Sequence, residues 1–391
     1  MSTAEYDIAV VGLGGIGSAT AYWAARAGLR VIGFEQFELG HDRGASHDHS
    51  RIIRLSYHTP GYVELAKAAY DAWAELEADA GESLIVRTGG LDLFPDDAAI
   101  PPADYRDSLT QAGVAHEWID GAEIRARWPQ FHVADDTYGL FQEAGGIAPA
   151  ARATAAHQRT AAHHGATLFA STPVEGIERH DGEVVIAAAG ERYRAGRVVV
   201  ATDAWAADLL APLGLQIPLT VLREQVTYFD IGAAAPQFAP DRLPVWIWMD
   251  DPSFYGFPVY GEPGTIKVAQ DCGGHPTTAR DRTFAVDDDE LARITDFTIG
   301  LFGADVVGPA RLTKTCLYTL TPDRDFVLDA VPGAPEVLVA LGAAHGFKFA
   351  SWFGRTLTEL ARTGRSEPDL APFRFDRPAL TDAAYAPNWM V

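Results

Sequence analysis

Near the start of this 391-residue chain, Gly12-Leu13-Gly14-Gly15-Ile16-Gly17 fits G-x-G-x-x-G, a spacing that can cradle phosphate. Each position has a physical use. Gly12 permits a tight turn, Gly14 lets backbone approach a pyrophosphate, and Gly17 allows close helix–strand packing. The phosphates would meet free N–H groups and the positive end of a helix dipole. Glu35 follows 23 residues after Gly12, where an acid accepts hydrogen bonds from ribose hydroxyls. The elements needed to position these groups are legible. Ile8-Ala9-Val10-Val11 reads as a buried parallel strand, Ser18 to Ala27 as a helix stopped by Gly28, and Val31-Ile32-Gly33-Phe34 as a second strand. The pattern predicts a dinucleotide site but does not separate FAD from NAD, because it recognises the ADP half common to both. A non-catalytic nucleotide-binding protein carries the same signature.

Composition bounds the rest. Lys and Arg number 31 against 53 Asp and Glu, a net charge of -22 that argues against binding nucleic acid or an anionic membrane. Exposed charge is screened over about 8 Å, so a positive pocket inside the protein stays compatible with that balance. Two cysteines, Cys272 and Cys316, exclude a disulfide scaffold and suggest a reducing compartment. MSTAEYDIAVVG lacks the features of a secretory signal, and no apolar run reaches a membrane span. The tail Asn388-Trp389-Met390-Val391 carries no organelle address, so the expected location is the cytoplasm.

A chain of this length exceeds the roughly 250–300 residues of one core, so two domains or one large composite unit are expected. Buried-strand patterns recur at Val198-Val199-Val200 and Val337-Leu338-Val339-Ala340-Leu341, and helices are expected over Tyr62–Ala78 and Ala350–Thr363. Between them, Val226-Thr227-Tyr228-Phe229 and Val245-Trp246-Ile247-Trp248 suggest an antiparallel sheet with one face covered. The expected fold is α/β: a discontinuous Rossmann-type domain over 1–87, 143–220 and 310–380. An inserted antiparallel-sheet substrate domain would take 88–142 and 221–309.

Three further segments are more specific: Gly44-Ala45-Ser46-His47-Asp48-His49-Ser50-Arg51-Ile52-Ile53-Arg54; Lys314-Thr315-Cys316-Leu317-Tyr318-Thr319 with Thr321-Pro322-Asp323-Arg324-Asp325-Phe326; and His345-Gly346-Phe347-Lys348-Phe349-Ala350. With the N-terminal glycines, their order and spacing resemble the monomeric sarcosine oxidase and N-methyltryptophan oxidase family, from Tyr6 to about Ala379. The resemblance implies an FAD-dependent amine oxidase, a monomer acting on a small amine with O2 as acceptor. Ser46, His47 and Arg51 would lie in the flavin loop, Val174 at the adenine end, and Gly346 and Phe347 in the flavin segment. Cys316 matches the cysteine that bonds covalently to FAD; read alone, it is a small buried apolar residue. Arg54 and Lys348 match the pair that holds the substrate carboxylate, as a fork and a point charge. Lys267 matches the lysine that promotes reaction with oxygen, since a fixed cation stabilises developing superoxide. Tyr255 matches an active-site aromatic.

The sequence also departs from that pattern. Asp271 stands where sarcosine and N-methyltryptophan members carry a histidine, and Asp48 and Asp203 stand where glycine is common. A carboxylate accepts hydrogen bonds and attracts an amine, so Asp271 suits a cationic or hydroxylated group. The implied reaction is oxidation of the C–N bond of a secondary amine bearing a carboxylate, yielding imine and then aldehyde plus amine, with hydrogen peroxide from O2. Alternatives in the same fold are an oxidase or dehydrogenase of a cyclic, glycated or primary amino acid. No metal site is expected, although His41, His47 and His49 cluster in sequence. Arg51, Arg54, Lys267 and Lys348 are expected to converge as a positive pocket.

Overall fold

A computed structural model describes residues 5–180 and 182–388; the ends of the N- and C-terminal segments read above lie outside the described residues. Tyr6–Val11 has its last four residues buried and pairs in parallel with both Val31–Phe34 and Glu191–Val200. Thr167–Phe169 extends this sheet beyond Val31–Phe34, and Ala334–Leu341 joins it in parallel beside Val198–Val200. Val174–His180, Glu183–Ala188 and Val327–Val331 add antiparallel strands, making eight. A core strand flanked on both sides by parallel neighbours must be apolar on both faces, which is the pattern of Ile8–Val11.

The first helix is Gly15–Arg26, beginning three residues before the expected start because Gly15 and Gly17 form its first turn. Gly28, at φ +80, ends it. Its partner helix is Ala350–Thr363, as expected, and the two cross closely. A Cβ on Gly354 would lie 2.4 Å from the carbonyl carbon of Ala19, and Trp23 Nε1 donates to Ser351 Oγ at 3.1 Å. Pro60–Ala80 forms a longer helix than Tyr62–Ala78 because Thr59 caps its start and left-handed Gly81 closes its end. Ala150–His163 packs on the first helix.

The second sheet has nine strands. Thr220–Asp230, Thr265–Gln270, Phe254–Phe257 and Val245–Trp248 run antiparallel, then a parallel pairing joins Val245–Trp248 to Gly90–Phe94. That parallel seam unites the two stretches 88–142 and 221–309 in one sheet. Helix Asp288–Phe302, capped by the Asp287 carboxylate, contributes Ile294, Leu301 and Phe302 to the core under it. Ala310–Leu320 pairs along Thr220–Asp230, so the sheet continues past residue 310, where the nucleotide-binding segment was expected to resume. Eleven residues of extended backbone find their hydrogen-bond partners beside Thr220–Asp230. This strand brings Cys316 from the second sheet to the first. A small third sheet, Arg51–Ile53, Gly146–Ala148 and Val86–Arg87, ties the loop after Gly44 to the body.

Gly17 is the tightest point of the glycine motif: a Cβ there would stand 1.8 Å from the Gly12 carbonyl oxygen. Gly17→Ala is expected to destabilise the protein by about 3 kcal/mol or more and to lower its FAD content. A thermal melt and the ratio of flavin to protein absorbance check both effects.

Candidate active site

A single cavity of about 540 Å³ runs from Gly12, Gly14 and Glu35 to Arg54, Asp271 and Lys348. That volume suits a small-molecule or cofactor site. At its first end, Gly12 sits at φ +87, and a Cβ there would meet the Ala201 carbonyl oxygen at 2.6 Å. Glu35 is buried; its carboxylate accepts from the Leu13 N–H at 2.9 Å and the Phe37 N–H at 3.2 Å, with His41 Nε2 at 3.3 Å. Burial alone would raise its pKa, but His41 and the two backbone donors keep the carboxyl below its ordinary value and therefore ionised. Ser46 Oγ accepts from the Gly15 N–H at 2.8 Å, and Val174 lines the same end.

The middle of the cavity meets the loop 44–51. Arg51 is anchored by donating to the carbonyls of Ser50 and Ala45, both at 2.8 Å. Burial, followed by the Arg51 charge, pushes His47 down to about 3, so it is neutral. His47 Nε2 is buried without a hydrogen-bond partner among the described residues, as are Thr202 Oγ1 and Asp203 Oδ2. Buried polar atoms of this kind call for a polar occupant. Together with the glycine cradle and the ionised Glu35, they fit FAD. Cys316 also lines the cavity, its buried thiol pushed up to about 11.

At the far end, Arg54 reaches Asp92 at 3.3 Å and lies over the Tyr57 ring at 5.0 Å. Burial opposes its charge, but Asp92 more than restores it, raising the Arg54 pKa above its usual value. Lys348 is held by its backbone: its carbonyl accepts from Trp73 Nε1 at 2.8 Å. Its ammonium has no carboxylate partner among the described residues, and burial, then Arg54 and Arg324, push it down to about 7. Tyr255 and Tyr318 face each other with hydroxyls 3.3 Å apart, Gly346 and Phe347 complete the wall, and Asp271 closes it.

Lys267 does not line the cavity; it lies behind the loop 44–51, with its ammonium 2.7 Å from Asp48 and donating to Ser50 O and Oγ. Burial, opposed by Asp48, pushes it down to about 8. Asp48 also receives Lys314 at 3.1 Å and the Tyr228 hydroxyl at 2.8 Å. Burial would raise this carboxyl, but Lys267, Arg51 and Lys314 hold it far below the usual range.

Of the four cations expected to converge as a positive pocket, Arg51, Arg54 and Lys348 line the cavity and Lys267 does not. Arg54 is paired with Asp92 and Lys267 with Asp48, because a buried charge is costly without a counter-charge. Arg51 and Lys348 have no such ion pair among the described residues. Asp48 and Asp203 both adopt left-handed backbone, φ +77 and +48, which explains why glycine suits these positions. Sequence reasoning missed Arg324, Asp92 and Gln158. Arg324 forms a two-pronged ion pair with Asp271, and Gln158 Nε2 donates to the Leu13 carbonyl beneath the glycine motif. Only Arg324 carried a signal, as a charged residue inside the segment that includes Cys316 and Phe326.

The chain belongs to the FAD dependent oxidoreductase family, whose model matches residues 7–360, and FAD is its cofactor. Monomeric sarcosine oxidase of Streptomyces avermitilis is 34% identical over 94% of this chain and 96% of its own length. N-methyl-L-tryptophan oxidase of Salmonella arizonae is 30% identical over 95% of this chain and 99% of its own. Among solved structures, NikD, an unusual amino acid oxidase essential for nikkomycin biosynthesis, superimposes with a TM-score of 0.84 at 26% identity, covering 95% of this chain and 98% of that one. Among the described residues, no helix is long and apolar enough to cross a membrane and no side-chain cluster could hold a metal ion.

Removing one member of a buried pair leaves the other uncompensated. Asp92→Ala, which strands Arg54, is expected to cost about 3–5 kcal/mol of stability, measured by urea denaturation of the holoenzyme.

Proposed function

We propose that this protein oxidises the C–N bond of a small secondary amine bearing a carboxylate, an N-methyl amino acid, giving an imine that hydrolyses to aldehyde and amine. The observation that carries this reading is Lys348: a half-buried ammonium on the cavity wall with no carboxylate partner among the described residues, beside Arg54. A substrate carboxylate supplies the missing negative charge, with the Arg54 fork and the Lys348 ammonium as its donors. The names of the relatives support the same substrate class.

When bound, FAD supplies the redox chemistry, accepting two electrons from the C–N bond and passing them to oxygen as hydrogen peroxide. The chain's residues bind and orient. Gly12, Gly14, Gly17 and Glu35 hold the ADP half, with Val174 beside the adenine, and Ser46, His47 and Arg51 hold the ring end. Cys316 stands where a covalent thioether to the cofactor would form, and Gly346 and Phe347 border the ring. Tyr255 walls the substrate, and the chain acts as a monomer. Lys267 supplies positive charge for the reaction with oxygen. A second reading, a dehydrogenase using another acceptor, is favoured by one observation, the 2.7 Å ion pair in which Asp48 offsets the Lys267 charge.

Anaerobic mixing with a panel of N-methyl, cyclic and primary amino acids should bleach the flavin fastest with the N-methyl members. Bleaching only by primary or cyclic amino acids overturns the substrate class; fast dye reduction with little oxygen uptake selects the dehydrogenase. Because Lys348 must be protonated to bind an anion, kcat/KM should fall as pH rises through about 7. Lys348→Met should bind substrate weakly and lack that limb.

Acid-precipitated protein should stay yellow, with an intact mass raised by that of FAD less the two hydrogens lost, in the end to O2, when the thioether forms. Cys316→Ala should release all its flavin to the supernatant; a wild-type pellet without colour would contradict the linkage.

A further inference from the structure

Asp271 lies just past strand Thr265–Gln270, its backbone N–H donating to the Ser253 carbonyl at 2.9 Å. Arg324 grips its carboxylate from the far side. Nη1 donates to Oδ2 at 2.7 Å and Nη2 to Oδ1 at 2.9 Å, a fork-to-fork geometry that fixes the carboxylate plane. Arg324 is itself held in a turn. Its N–H donates to the Thr321 carbonyl at 3.1 Å, Thr321 Oγ1 donates to the Asp325 carbonyl at 2.8 Å, and Arg377 clamps Asp323 and the Asp325 carbonyl. The Arg324 backbone is left-handed at φ +58, a conformation disfavoured for a residue with a Cβ. A strained, well-braced turn delivering a buried guanidinium to one carboxylate marks that carboxylate as something to be positioned.

The two partners differ in what they show the cavity. The Arg324 side chain is 5% exposed, whereas that of Asp271 is 20% exposed and lines the wall with Lys348, Tyr255 and Tyr318. A carboxylate has about four lone-pair sites, and the fork occupies two. The remaining pair can only accept. Among the described residues around this end, Arg54 and Arg324 pair with Asp92 and Asp271, and Lys348 has no carboxylate of its own, so a substrate carboxylate can supply one. In an amino acid the nitrogen is two bonds from the carboxyl carbon, so a substrate docked on Arg54 and Lys348 carries its amine within reach of the same wall.

We propose that Asp271, positioned by Arg324, accepts the N–H of the substrate amine, so that this protein selects amines retaining an N–H over tertiary amines and thioether isosteres. The inference rests on the reading that the substrate carboxylate binds Arg54 and Lys348. A secondary amine in its reactive, unprotonated form has one N–H; donated to Asp271, it fixes where the nitrogen lone pair points. A neutral tertiary amine or a thioether offers no proton and leaves a desolvated carboxylate oxygen unpaired, which is the larger penalty.

The test uses flavin-loaded protein under anaerobic conditions with three probes: N-methylglycine, N,N-dimethylglycine and (methylthio)acetate. Dissociation constants, expressed per unprotonated amine because a tertiary ammonium still carries an N–H, come from flavin absorbance changes, and reduction rates from bleaching. Wild type should favour N-methylglycine over either other probe by about ten- to hundredfold, the range expected for a hydrogen bond to a charged group. Asp271→Asn should cut that preference about tenfold, with (methylthio)acetate affinity unchanged or raised because a negative charge beside its carboxylate is removed. Arg324→Gln should also cut the preference, with Arg324→Lys restoring part of it, a rescue that a merely structural role would not give. Equal wild-type affinity for the three probes overturns the inference without any variant. Bleaching by N-methylglycine with a preference unchanged in Asp271→Asn overturns it alone; no bleaching by any N-methyl amino acid overturns the substrate reading and this inference with it.

Discussion

The requirement that a buried charge have a counter-charge organises this molecule. Arg54 with Asp92, Lys267 with Asp48, and Arg324 with Asp271 each join segments that are far apart in sequence. Each pair forms where the second sheet or its neighbouring turns meet the walls of the cavity. Pairs of this kind add little net stability compared with an apolar core, but breaking one is expensive. They therefore fix register more than they hold the fold together. The position of the loop 44–51 against strand Thr265–Gln270 follows from Asp48 taking Lys267, Lys314 and the Tyr228 hydroxyl at once.

The same bookkeeping of charge distinguishes the residues that remain available for chemistry. Lys348 lines the cavity with no carboxylate partner among the described residues, and its lowered pKa reflects burial next to two guanidinium groups. A cavity end whose lysine has no carboxylate partner among the described residues is poised for an anion. Lys267 differs: it is more deeply buried than Lys348 and already compensated by Asp48. The overall charge of -22 tells nothing of this arrangement, because surface and interior charges are decoupled by burial.

How the two sheets meet is equally a matter of tertiary constraint. Strand Ala310–Leu320 runs along Thr220–Asp230, and through it Cys316 reaches the cavity whose opposite end is built by the glycine motif of the first sheet. The segment bearing Cys316 was recognisable in sequence, but the strand it pairs with was not. Strand pairing depends on which unpaired edge lies nearby, and no local pattern encodes that.

By itself, the amino-acid sequence determined the local elements and the chemistry tied to them. Gly12, Gly14, Gly17 and Glu35, with the strands and helix around them, follow from short-range sterics and periodicity, so the nucleotide end was legible. The helix Ala350–Thr363 was legible for the same reason. The segments bearing Arg54, Cys316 and Lys348 were recognisable by spacing, and the fold brings all three to one cavity. Only the tertiary structure decided which charges face which. Asp92, Asp48 and Arg324 carry no local mark of their partners, and Lys267 stands behind the wall, not on it. The reason is physical: periodicity reports a residue's own backbone and face, whereas pairing across a cavity is set by distances between segments that only packing brings together.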